Sequence, residues 1–116
     1  MINIKKNHVI LGSIALLFVL TVMSCKKDEV VECDGTVYSF SQEVLPLMNS
    51  SCNTTGCHAL NSTFGDFTTY AGVSAKVSNG SLKARILDGS MPKNSSINLA
   101  QKEMIVCWIE GGALDN

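Results

Sequence analysis

Cys52-Asn53-Thr54-Thr55-Gly56-Cys57-His58 is the stretch on which the reading of this 116-residue chain turns. Two thiols are separated by four residues, and an imidazole follows the second directly. Histidine is scarce: the chain holds two, and His8 lies in an apolar leader, so His58 is the one imidazole left to any mature domain.

A cysteine pair closed by a directly following histidine is the arrangement that attaches haem c. Two thioether bonds fix the porphyrin, and the histidine ligates iron. The common spacing has two intervening residues; here there are four, and Gly56 supplies backbone freedom to the longer loop. Three other readings compete. Zinc needs about four ligands in a tetrahedron, which adjacent Cys57 and His58 and no second mature histidine do not favour. A Cys52–Cys57 disulfide is open to an exported protein. A redox-active dithiol usually has two intervening residues and a βαβ setting, and no such pattern is visible.

Upstream, Lys5 and Lys6 precede an uncharged apolar run from Val9 to Met23, closed by Ser24 and Cys25. This is the pattern of a secretory signal peptide, too short for the ~20 residues of a membrane-spanning helix. Leu20-Thr21-Val22-Met23-Ser24-Cys25 resembles the lipobox of bacterial lipoproteins, in which the cysteine is acylated and becomes the new N-terminus. The expected organisation is therefore a signal peptide over 1–24, acylated Cys25 with a polar tether over 25–32, and one domain over 33–116. Acyl chains contribute about 0.8 kcal/mol per buried methylene and hold such a domain on a bacterial membrane, facing the periplasm or the cell surface. Without Lys5 and Lys6 the acidic residues outnumber the basic ones, so no basic patch points to nucleic acid.

Downstream, helical spacing dominates and no alternating strand pattern occurs. Ser41 to Ser50 is predicted as a first helix, capped by Ser39 or Ser41, with Pro46 costing a hydrogen bond or marking a kink. Thr69 to Val77 is a second. Ser81 to Leu87 is a third, carrying Leu82, Ile86 and Leu87 and stopping at Gly89. Asp88 to Ser96 reads as a loop. Asn98 and Gln101 form a capping-box pair ahead of a last helix whose Met104, Ile105, Trp108 and Ile109 share a face until Gly111-Gly112.

Several runs carry a family resemblance: Phe40 to Met48 before the motif, Gly65-Asp66-Phe67-Thr68-Thr69-Tyr70-Ala71-Gly72-Val73, Ser90-Met91-Pro92, and Cys107-Trp108-Ile109-Glu110-Gly111-Gly112-Ala113. In this order they resemble the small single-haem c-type cytochrome domains of bacterial exported lipoproteins. The resemblance covers nearly the whole mature domain, and the four-residue spacer is its departure. It implies an all-α, cytochrome c-like domain wrapped around one covalent haem c, with Cys52 and Cys57 as attachment points and His58 as proximal ligand. Met91 lies 33 residues after His58 in a polar loop, before Pro92, at the position of the family's distal methionine. Met48 and Met104, both in helical segments, read as core.

Cys33 and Cys107 bracket the domain, 74 residues apart, with neither near another ligand. In an exported protein each is the simplest disulfide partner for the other. The function expected is electron transfer to and from redox partner proteins, without catalysis. A haem-free, disulfide-stapled surface lipoprotein acting as a binding module is the alternative. A small peroxidase would need an open distal site and an acid-base group, and a second histidine is lacking.

Overall fold

The structure, a computed structural model, describes residues 30–116. The expected signal peptide, Cys25 and the first part of the tether lie outside the described residues. The architecture is a small all-helical domain, with no strand among the described residues. None of its helices is long and apolar enough to cross a membrane.

The first helical segment departs from the regular helix expected over 41–50. It opens with a π-helical turn, Phe40–Val44, and continues as α1, Leu45–Ser51. In the π turn, Val44 N–H donates to Ser39 O at 3.1 Å and Leu45 N–H reaches Phe40 O. Pro46 explains the change. A proline inside an α-helix removes a donor and presses its ring on the carbonyl four residues earlier. The wider turn restarts the helix at Leu45, so Pro46 falls in a first turn, where a missing N–H has no partner to lose. Ser39 caps the segment, its Oγ accepting from Gln42 N–H at 3.2 Å, while Glu43 returns a carboxylate to Ser39 N–H at 2.8 Å. The far end of the chain closes over the same turn. Asn116 Oδ1 accepts from Phe40 N–H at 2.8 Å, and Asn116 O accepts from Ser41 N–H at 2.8 Å.

The other three helices follow their sequence signals closely. They are α2, Tyr70–Ser78; α3, Ser81–Leu87; and α4, Leu99–Glu110. Thr69 caps α2 by accepting from Gly72 N–H at 3.2 Å. Gly80, at φ +76°, makes the turn between α2 and α3 in a conformation that costs other residues energy. Asn98 and Gln101 form a reciprocal capping box on α4.

The π turn packs on α4, α4 on α3, and α3 on α2. Phe40, Val44, Met48, Val73, Ile86, Ile105 and Trp108 fill the core between them. Phe40 meets Tyr70 edge-on at 5.2 Å and Trp108 at 5.4 Å between ring centroids. The polar tips of this aromatic cluster are satisfied, since Tyr70 Oη donates to Ala113 O at 2.9 Å and Trp108 Nε1 to Leu114 O at 3.0 Å. Trp108 is therefore a core anchor. Cys33 and Cys107 are joined by a disulfide with Cα atoms 5.4 Å apart, tying the start of the domain to α4.

Candidate functional site

Helix α1 delivers the first cysteine. Cys52 is its C-cap, and both Cys52 N–H and Asn53 N–H donate to Met48 O, at 2.8 and 2.9 Å. From there the chain makes a closed loop: Cys57 N–H returns to Thr54 O at 2.9 Å, and His58 N–H to Cys52 O at 3.2 Å. The four-residue spacer is taken up by Gly56, which adopts φ +82° with no atom within 4 Å of where a Cβ would stand. Both ends of the motif are thereby held together.

Cys52 and Cys57 are free thiols, in contrast to the joined pair Cys33 and Cys107. Cys52 is buried and Cys57 half-buried. Burial first, and then the neighbouring Cys57, push the Cys52 thiol up to about 11. At neutral pH it is a protonated thiol. Among the described residues no group of three His, Cys, Asp or Glu side chains converges as a metal-binding cluster.

The imidazole of His58 is held at two places. Its Nδ1 lies 3.0 Å from Gly65 O. A carbonyl only accepts, so Nδ1 carries the hydrogen, and in the neutral ring Nε2 is left with the lone pair a metal uses. One face of the ring lies on Phe67, with centroids 4.0 Å apart and planes at 9°. The segment supplying these contacts is tied down in turn. Phe67 N–H donates to His58 O at 2.9 Å, and Asn53 Nδ2 donates to Phe67 O at 3.0 Å and to Asn49 Oδ1 at 2.6 Å. Asp66, between the two residues that hold His58, accepts from Thr68 Oγ1 at 2.5 Å, Thr68 N–H at 2.8 Å and Asn61 N–H at 3.2 Å. The Thr68 hydroxyl and then its N–H hold the Asp66 carboxyl below its usual range.

Gly65 has φ +109°, and a Cβ there would come within 2.7 Å of Lys76 Cε. Glycine therefore permits the carbonyl to face His58 where a side chain would strain the turn. Gly72 has a harder constraint: its added Cβ would fall 1.5 Å from Asp66 O, so the start of α2 lies directly against the 61–68 loop. Gly65 and Phe67 belong to the run Gly65 to Val73, but their roles were not legible from the sequence. The bond to His58 uses a main-chain carbonyl, which every residue possesses, and only the positive φ of a glycine hints at the special backbone.

Met91 follows α3 in the expected loop. Its N–H donates to Arg85 O at 3.2 Å, its side chain is half-buried, and its peptide bond to Pro92 is cis. Met48 is fully buried and Met104 packs half-buried against the core, as their helical positions imply. A separate cavity of about 10 Å³ lies among Val37, Tyr38, Cys107, Trp108, Gly111 and Leu114, room for no more than about one water.

The donor set around the motif fits haem c on its own chemistry: two unjoined thiols on one short loop, and an adjacent imidazole whose second nitrogen is fixed by a carbonyl. Set against known proteins, the chain matches no family model, no curated protein and no solved structure.

Proposed function

We propose that this chain is an exported, lipid-anchored monohaem c-type cytochrome whose work is electron transfer. The observation that carries the reading is the His58 imidazole, directly behind the free thiols of Cys52 and Cys57, with Nδ1 engaged by Gly65 O at 3.0 Å and Nε2 left as the lone-pair nitrogen. A metal-ligating histidine commonly donates its other N–H to a carbonyl or carboxylate, which fixes tautomer and ring direction and raises basicity. Nothing in an idle surface histidine requires two unpaired cysteines beside it.

In this reading haem c, when bound, supplies an iron that passes one electron by alternating between ferric and ferrous states. Everything else is done by the chain. Cys52 and Cys57 would give their sulfurs to the two thioether links, and the backbone hydrogen bonds of the 52–58 loop close the segment that carries them. His58 would hold the iron through Nε2, and the Gly65 carbonyl, accepting from Nδ1–H, would raise the basicity of that nitrogen. Met91 would be the second side chain to hold the iron, through a thioether that favours the ferrous form and excludes small molecules. Cys25 anchors the domain through its acyl chains, and the polar segment after it acts as a tether to redox partners.

The test is expression with haem-attachment machinery and a reduced-minus-oxidised absorbance spectrum of the exported protein. Sharp ferrous c-type bands are expected in the wild type and absent when both Cys52→Ala and Cys57→Ala are made. A colourless wild type prepared under those conditions contradicts the reading and leaves a disulfide-stapled, haem-free lipoprotein.

A further inference from the structure

One nitrogen bond alone would let the His58 ring pivot about the Nδ1 to Gly65 O line. What stops the pivot is an aromatic face. Phe67 lies 9° from parallel to the imidazole at 4.0 Å between centroids, and Phe67 itself is 4% exposed, packed within the core cluster. Its backbone is bound to both sides of the motif: N–H to His58 O at 2.9 Å, and O to Asn53 Nδ2 at 3.0 Å. The Asn53 amide is fixed in turn by its second donor bond to Asn49 Oδ1, at the end of α1. Helix, motif loop and Phe67 are thus one hydrogen-bonded unit, and the ring contact is its output toward His58.

We propose that Phe67 is the positioning residue that sets the plane of the His58 imidazole, closing one face of the ring while leaving the Nε2 edge free. The inference deepens the cytochrome reading and rests on His58 being the axial ligand. With Nδ1 pinned and one face covered, the ring could not turn toward Phe67 once Nε2 held the iron. That rotation governs how the ligand's π orbitals overlap the iron d orbitals, and therefore the g values of the low-spin ferric form. Outer contacts of this kind tune a metal through its ligand without touching it.

The experiment compares the full chain, matured with haem, as wild type, Phe67→Tyr and Phe67→Leu by low-temperature electron paramagnetic resonance. Phe67→Leu keeps an apolar side chain of similar bulk but removes the flat face. Its largest g value is expected to shift and its line to broaden, while Phe67→Tyr keeps the wild-type g values. Unchanged g values in Phe67→Leu, or the same change in both variants, overturn the proposal, because filling space would then be all that Phe67 does. Should the variants fail to accumulate, the reduced wild type decides by nuclear magnetic resonance. Cross-peaks between the Phe67 and His58 ring protons support the contact, and their absence overturns it. A wild type that carries no haem defeats the cytochrome reading, and the same cross-peaks in that haem-free chain then decide the ring contact separately.

Discussion

At the scale of single residues, the two sulfur types of the site have opposite requirements. With Met91 proposed to hold the iron, Met91→Ala is expected to leave the haem attached, lower the reduction potential and let carbon monoxide bind the ferrous protein; optical titration with the gas checks this, and an unchanged spectrum removes Met91 from the site. Met48 has no exposed surface, and Met48→Ala is expected to cost about 2 to 5 kcal/mol in chemical denaturation with the haem spectrum intact. Cys52 supplies a pH signature. Its thiol is pushed from an ordinary 9.0 up to about 11. In haem-free protein the unfolded chain releases this proton near pH 9 while the folded chain keeps it, so stability present below pH 9 is lost as pH rises toward 11. Melting curves across that window should show the loss, and Cys52→Ala should remove its share. A thioether has no such proton, so haem attachment should remove it too. The thiols and His58 were legible as a motif, and Cys33 and Cys107 as partners by elimination. The Gly65 carbonyl and the Phe67 face were not, because neither contact depends on a side-chain chemistry that sequence spacing announces.

Helix starts were readable where a side chain makes the first bond. Thr69, Asn98 and Gln101 each cap as their residue types suggest, and the boundaries of α2, α3 and α4 fall within a residue or two of the expected ones. The first segment was not, since a proline marks a disturbance without saying how the backbone resolves it; here the π turn moves Pro46 into the first turn of α1. Close approach between elements was equally silent. Gly72 reads as an ordinary weak position in a helix, yet an added methyl would meet Asp66 O at 1.5 Å. Gly72→Ala is therefore expected to destabilise by about 1 to 3 kcal/mol despite alanine's better helix propensity. Thermal denaturation checks the sign, and a stabilised variant would show that α2 and the 61–68 loop are not in contact.

For the whole molecule, the design is a small core closed at three points: the Cys33–Cys107 disulfide, the Asn116 bonds onto the π turn, and the hydrogen-bonded loop around His58. So small a domain gains much from such closures. Replacing both Cys33 and Cys107 by alanine is expected to lower unfolding free energy by about 2 to 5 kcal/mol while covalent haem remains on Cys52 and Cys57. An all-helical fold was legible because four segments carry helical periodicity and none alternates; the order of packing was not, because it depends on which apolar faces meet. The proposed attachment of haem through two sulfur links in the 52–58 loop is open to direct chemical proof. Its most direct measurement is mass spectrometry of the matured, denatured and proteolysed protein. One haem is expected on the peptide containing Cys52 and Cys57, bonded through both sulfurs; the same peptide with two unmodified thiols or a Cys52–Cys57 disulfide would refute haem attachment there.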